Sequence, residues 1–369
     1  MRLRELGLIN YRNYIKLELA FSSNLIIFSG KNAQGKTNIL ESIFLSSIGR
    51  SHRTSRDREI ILKGEKESRV RALVEKKEGL SLIEIALAQN ENKKISINGM
   101  AADRLGELMG HINSVLFSPE DLRLVKGSPT ERRRFIDMGI SQTFPRYFYS
   151  LQRYNKILGH RNNLLKSIGE KDSLRKTLSV WDEQLSETGA YIISRRLKFI
   201  EDLKIIAKRT HREISFDEEE LDISYIPSIE IDSDNTEAIM KEYMKTLETN
   251  HNDDIRRGRT EKGCHRDDLN IFINGMDVRN FGSQGQQRTS VLSLKLSEIE
   301  MMHKETGEYP LLLLDDVMSE LDQYRQGELI SYFDKVQTFI TTTDYGNLPH
   351  IKDKNAEIYI VNKGKVDKA

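Results

Sequence analysis

Cysteine is nearly absent from this chain: Cys264 is the only one in 369 residues, so no intramolecular disulfide can form and a Cys-rich zinc site has no ligands. A reducing, cytoplasmic setting is the simplest expectation. Long apolar runs are missing too, none exceeding about four residues, whereas a membrane span needs roughly 20. The opening MRLRELGLINYRNY lacks the apolar core of a signal peptide. Net charge is small: 57 Lys and Arg against 56 Asp and Glu leave +1, so any nucleic-acid surface must come from local clustering. Repeats and low-complexity tracts are lacking as well.

What is present begins with NLIIFSGKNAQGKTNILESIFL. Gly30, then Lys31, Asn32, Ala33 and Gln34, then Gly35, Lys36 and Thr37 match GxxxxGK(S/T) at every fixed position. Leu25 to Phe28 read as a buried strand before the loop, and Ile39, Leu40, Ile43 and Phe44 as a helix after it. Glycines let backbone N–H groups curl around phosphates, Lys36 reaches the terminal oxygens, and the Thr37 hydroxyl is a ligand for Mg2+. A second carboxylate element is then required, and YPLLLLDDVMSELD supplies it. Its apolar run predicts a central strand ending in Asp315, for the metal shell, and Asp316, for orienting or deprotonating the attacking water. Because loop and aspartate serve one metal, their strands are expected to be neighbours in one sheet.

The rest of the chain reads as two textures. Residues 1–20 predict two strands joined through NYRNY, and the stretch around 70–100 predicts more, with EGL and NGM as turns. From about Phe117 helical spacing takes over. Tyr147, Leu151, Tyr154, Leu158, Leu165 and Ile168 form one stripe, interrupted by Arg161, and Trp181, Leu185, Ile192, Phe199, Leu203 and Ile206 form another. KSIGEKDSLRK is the expected reversal between them. DEEELD and IEIDSDN, around residues 217–235, predict solvated loops or exposed strand edges. The expected organisation is a split head, 1–117 with 251–369, around an inserted helical arm, 118–250. FGSQGQQRTSVLSLKL, from Phe281, places hydroxyl, amide and N–H donors ahead of a helix, which suits an anion supplied from elsewhere.

In order along the chain, the phosphate loop, SQGQQ (Ser283 to Gln287), LLLLDD and SELD resemble an ABC-type ATPase head. More narrowly the chain resembles the RecF family of bacterial recombination mediators, related to SMC heads. LINYRNY, GRSHRT at 49–54, LFSPEDLRLVKGSPTERRRFID, GCHRDDL at 263–269 and FITTTD carry that resemblance. It implies an α/β head with a P-loop sheet core, a β-rich N-terminal subdomain and a helical arm. It implies ATP and Mg2+ as cofactors, and an ATP-dependent homodimer in which Ser283, Gly285 and Gln286 meet a γ-phosphate held by the partner's Lys36. It also implies DNA at gaps or junctions of single and double strands, RecO- and RecR-like partners, support of recombinase loading, fork repair and the SOS response, and no membrane.

Two departures from the transporter pattern, Asp316 where glutamate is usual and Thr341 to Thr343 near the usual histidine, imply slow hydrolysis that resets the dimer. SPED makes Glu120 or Asp121 a further metal or water contact. For DNA, the basic positions are Arg123, Lys126, Arg132, Arg133 and Arg134, followed by Arg153, Lys156 and Arg161 and by Arg195, Arg196 and Lys198 along the arm, with Arg53 of GRSHRT a further candidate. Tyr147, Phe148, Tyr149 and Tyr154 are expected in the core, and His52 and His265 in structural roles. A nucleotide-binding subunit of an ABC transporter and a small-molecule P-loop kinase are the alternatives. A large chromosome-organising ATPase is excluded because an insertion this short, rising about 1.5 Å per residue as helix, cannot form a long coiled coil.

Overall fold

The computed structural model describes residues 1–168, 172–347 and 355–369. The chain forms two compact units, residues 1–121 with 292–369, and residues 122–291.

The first unit is built on a six-stranded sheet ordered Lys365–Lys368, Ala356–Asn362, Leu25–Ser29, Thr338–Thr342, Leu311–Asp315 and Ser114–Phe117. All pairings in it are parallel apart from the terminal hairpin. Leu25–Ser29 and Leu311–Asp315 are buried along their whole length, as apolar runs covered on both faces must be. These two strands are not neighbours. Thr338–Thr342 lies between them, pairing Thr341 with Phe28 on one side and with Asp315 on the other. The expected adjacency is corrected for a simple reason: Thr37 sits beyond the loop, at the start of a helix, and from there reaches over the intervening strand.

A second six-stranded sheet in this unit is antiparallel, ordered Tyr14–Ala20, Arg2–Tyr11, Glu67–Lys76, Gly79–Ala88, Lys94–Ile97 and Met100–Ala102. Its turns are those expected. Lys76 faces Gly79 across a Lys77–Glu78 turn, one residue ahead of the EGL signal, and Asn98–Gly99 takes the two positive-φ positions (52° and 80°) of the Asn-Gly hairpin. Alternation of buried Val70, Ala72 and Val74 with exposed or half-buried neighbours gives the sheet one buried face. The helix Lys36–Ile48 packs against strands of both sheets, which explains why nearly every side chain on it is buried. Its serines satisfy themselves: Ser42 donates to the Ile39 carbonyl, Ser46 to that of Ser42, and Ser47 pairs with Ser114.

The second unit contains the arm. Pro145–Ile168 packs against Leu178–Ile214, a 37-residue helix about 55 Å long. Tyr147, Tyr154, Leu165 and Ile168 on one, and Leu185, Ile192, Phe199 and Leu203 on the other, are buried as their spacing predicts. Part of the expected reversal, residues 169–171, lies outside the described residues. Leu221–Ile226 is an edge strand, one of the two forms expected for this stretch, with Leu221 and Ile223 buried, and the residues from 227 to 235 are loop. The strand pairs antiparallel with Asp268–Ile273, and Met276–Asp277 completes a three-stranded sheet. That pairing moves residues 251–291 into the arm's unit, so the unit ends at 291 and not at 250. The boundary falls inside the helix Gln284–Thr306.

Candidate nucleotide site

Leu25–Ser29 delivers the chain to a loop that ends where Gly35 caps the helix in the left-handed region, φ 115°. Both fixed glycines are required by their neighbours. A Cβ on Gly30 would lie 2.3 Å from the Val361 carbonyl oxygen, and one on Gly35 would lie 2.5 Å from Asn13 Nδ2 and 2.8 Å from Tyr14 Oη. These contacts identify a cradle that sequence reading passed over. Asn13 Nδ2 donates to the Gln34 carbonyl (2.9 Å) and Tyr14 Oη to the Gly35 carbonyl (3.0 Å). From the C-terminal hairpin, the N–H groups of Lys363 and Gly364 donate to Gln34 Oε1 and the Gln34 carbonyl, at 2.8 and 3.2 Å. The only signal was NYRNY, read as a turn between strands, which Arg12 does make at φ 53°.

Lys36 is buried, and its ammonium donates to the carbonyls of Gly30 (2.7 Å) and Lys31 (3.1 Å), so it lies folded along the loop whose ligand it is expected to hold. Asn38 donates to Asn13 Oδ1 and accepts from Arg53 Nη1, each within 2.8 Å. Arg53 of GRSHRT therefore bonds the residue next to Thr37, the expected metal ligand. Behind it, Arg12 makes a bidentate pair with Glu41, which is fully buried. Burial works to raise the Glu41 carboxyl, yet the hydrogen bonds from Arg12 and Ser51 and the nearby Arg53 hold it below the usual glutamate value.

Opposite the loop, Thr37 Oγ1 donates to Asp315 Oδ1 at 2.8 Å. Two oxygen donors from positions 278 residues apart thus converge, a donor set that fits a hard divalent cation such as Mg2+. Burial pushes the Asp315 carboxyl above its ordinary value, opposed by hydroxyls of Thr341 and Thr37. Asp316 follows in the left-handed region, φ 52° and ψ 17°, half-buried at the head of a short turn. Asp121 is committed to structure: its Oδ2 accepts from the Ser118 N–H (2.7 Å), and Lys295 lies 3.7 Å from Oδ1.

In the second unit, Ser283 and Gln286 form a reciprocal cap on the helix beginning at Gln284. Ser283 Oγ accepts from the Gln286 N–H (3.2 Å) and Gln286 Oε1 from the Ser283 N–H (2.9 Å). Gln286 Nε2 donates to Glu219, and Gln287 Nε2 to the carbonyls of Val278 and Gly282. The N–H groups of Gln284 and Gly285, in the first turn, are left without intrahelical acceptors by helix geometry.

The basic positions divide sharply. Arg123, Lys126 and Arg134 are exposed, and Arg133 is half-buried with Nη1 on the Asp267 carbonyl (2.7 Å). Arg132 is 3% exposed and spans Asp268, so its expected place on a DNA surface is corrected. Arg161 and Arg196 are also buried, Arg161 against Asp182 and Asp254 and Arg196 against Asp137 and the Cys264 carbonyl. Guanidinium groups enclosed with carboxylates are not available to phosphates. GCHRDDL, left without a role by sequence, is the other half of these networks. His265 bridges Tyr154 and the Thr260 carbonyl, and Asp267 accepts from Tyr225 and the Ser228 N–H.

A phosphate loop, a helix behind it and an aspartate at the end of a parallel strand define a P-loop ATPase head of the ABC type. The RecF/RecN/SMC N-terminal domain family matches residues 2–367. A DNA replication and repair protein RecF from Alkaliphilus oremlandii is 47% identical over 368 residues, covering all of both chains, and one from Enterococcus faecalis is 45% identical over 375, covering 100% of this chain and 99% of that protein. A solved structure of the recombination mediator protein RecF-ATP in the RecFOR pathway superposes with a TM-score of 0.93 at 39% identity, covering 100% of this chain and 97% of that one. The Smc head domain of Pyrococcus furiosus shares the fold, with a TM-score of 0.56 at 16% identity. The chain belongs to the RecF family.

Proposed function

We propose that this chain is an ATP-dependent, DNA-binding recombination mediator that closes into a homodimer around ATP and reopens on slow hydrolysis. The observation that carries the reading is the 2.8 Å contact of Thr37 with Asp315 beside a complete phosphate loop, in a chain whose full-length relatives are RecF proteins, one of them solved as RecF-ATP. Bound Mg2+ would supply neutralisation of phosphate charge, and Thr37 and Asp315 would hold it. Lys36 would leave the loop carbonyls for phosphate oxygens, and the loop N–H groups from Lys31 to Gly35 would bind the remainder. Asp316 would orient the attacking water, one methylene short of the usual glutamate, which favours a timer over fast turnover.

Ser283, Gly285 and Gln286 carry a cap and orphaned N–H donors with no anion of their own. In the dimer they would close on the γ-phosphate held by the partner's Lys36, so that ADP, lacking that charge, releases the two copies. DNA at gaps or junctions would engage Arg123, Lys126 and Arg134, with Arg133 at the margin, and RecO- and RecR-like proteins would connect the complex to recombinase loading, fork repair and the SOS response in the cytoplasm. The curated relatives do not favour a transporter subunit, and no helix among the described residues is long and apolar enough to cross a membrane.

Mixing Lys36→Met and Ser283→Arg proteins tests the shared site. Each alone is expected to fail in ATP-driven dimerisation, while the mixture retains one intact composite site and recovers part of the ATPase activity. No recovery with both proteins folded would rule out the arrangement.

A further inference from the structure

Thr341 is fully buried in the strand that separates the loop strand from the aspartate strand. Its hydroxyl makes two contacts, each with a different consequence. It donates to Asp315 Oδ1 at 2.8 Å and accepts from the backbone N–H of Asp316 at 2.9 Å. Asp315 Oδ1 therefore receives two hydroxyl protons, one from Thr341 behind and one from Thr37 in front. The second contact holds the Asp316 backbone in its left-handed conformation, uncommon for a residue other than glycine though open to aspartate and asparagine. The neighbouring threonine does none of this: the Thr342 hydroxyl serves the carbonyl and N–H of Asp344.

We infer that Thr341 is the positioning residue of the site, fixing the metal-binding carboxylate of Asp315 and the water-facing carboxylate of Asp316 through one hydroxyl. The inference rests on reading the site as one for a metal–nucleotide complex. Threonine suits the task because its branched Cβ leaves few χ1 choices in a strand, so the hydroxyl direction is set by the backbone. Valine has the same shape and β preference without the hydroxyl. Serine keeps the hydroxyl with more freedom.

The test uses Mn2+ as the probe, by EPR titration of the full-length protein saturated with ADP, beside ADP affinity measured in EDTA with a fluorescent analogue. Thr341→Val is expected to weaken Mn2+ binding about tenfold, the range for removing a group that orients a ligand, with ADP affinity in EDTA unchanged within about twofold. Thr341→Ser is expected to stay within about threefold of wild type. A Val variant that binds Mn2+ as wild type does would overturn the inference, and so would parallel loss of metal-free ADP affinity, which marks loosening of the whole loop. Should the Val variant not fold, Thr341→Ala decides by the same titration: a Mn2+ affinity equal to wild type overturns the assignment. If wild type itself takes up no Mn2+ with ADP, the reading of the site falls, not merely the role of Thr341.

Discussion

The guanidinium of Arg132 spans both carboxylate oxygens of Asp268, at 2.6 and 2.9 Å, and also donates to the Gly127 carbonyl at 3.0 Å. A bidentate pair of this kind, closed from solvent on the arginine side, holds the helix Pro129–Thr143 to the small sheet. Removing one partner leaves a half-buried carboxylate without its cation. Arg132→Ala is expected to lose about 2–4 kcal/mol in urea unfolding. Where it still folds, its DNA affinity should show the wild-type dependence on salt. Exposed Arg134 should behave oppositely, Arg134→Ala keeping stability and reducing the salt slope by about one.

Gly263 is a second place where the arm's unit tolerates no change. Its φ is 133°, and a Cβ there would stand 1.7 Å from Tyr243 Oη and 2.6 Å from Tyr154 Oη. Those hydroxyls, bonded to each other at 2.6 Å, are buried and cannot retreat. Gly263→Ala should therefore cost at least about 3 kcal/mol, read from the denaturation midpoint, and Ser228, which bonds both backbone groups of Gly263, should lose its ordered environment.

Local structure was legible and long-range pairing was not. GxxxxGKT and LLLLDD carry their own strand, turn and helix signals, so Lys36, Thr37 and Asp315 could be placed before any fold was known. That Thr338–Thr342 inserts between their strands depends on pairings across some 300 residues, which no short pattern encodes. The arginines illustrate the same limit. Arg132, Arg161 and Arg196 look on paper like Arg134, and only the carboxylates of Asp268, Asp182, Asp254 and Asp137, up to 136 residues away, turn them from surface charge into core. Thr341 was noticed for the histidine that is usual nearby and not for the hydroxyl that is present.

The imidazole of His265 should make stability depend on pH. Burial first, with the charges of Arg266, Arg133 and Arg161, pushes its pKa from 6.5 down to about 4, against the Thr260 carbonyl, which alone favours the cation. In the unfolded chain it titrates normally, so between pH 6.5 and about 4 the unfolded state binds the extra proton. The neutral ring's contribution is thus complete above pH 6.5 and is lost as pH falls toward 4, at most about 3 kcal/mol. His265→Gln, whose amide can still donate to Thr260, should remove that slope. The difference in urea midpoint between the two proteins, followed from pH 7.5 to 4.5 (roughly spanning the window), should shrink on acidification; a constant difference would refute it.

Substitution at Asp316 tests whether holding ATP can be separated from hydrolysing it. Its backbone adopts the left-handed region at φ 52°, which asparagine also enters readily, so Asp316→Asn keeps shape and conformation while removing the charge that would orient or accept a proton from water. The groups expected to hold ATP and its metal are untouched, since Lys36, Thr37 and Asp315 retain their partners and the Thr341 hydroxyl still accepts from the N–H of residue 316. Turnover should fall about 100-fold or more, with ATP affinity within about twofold of wild type. If hydrolysis is what opens the dimer, the variant should stay dimeric on ATP long after wild type has returned to single copies. Light scattering after a single ATP pulse reads this directly, and equal lifetimes for both proteins would detach dimer opening from hydrolysis.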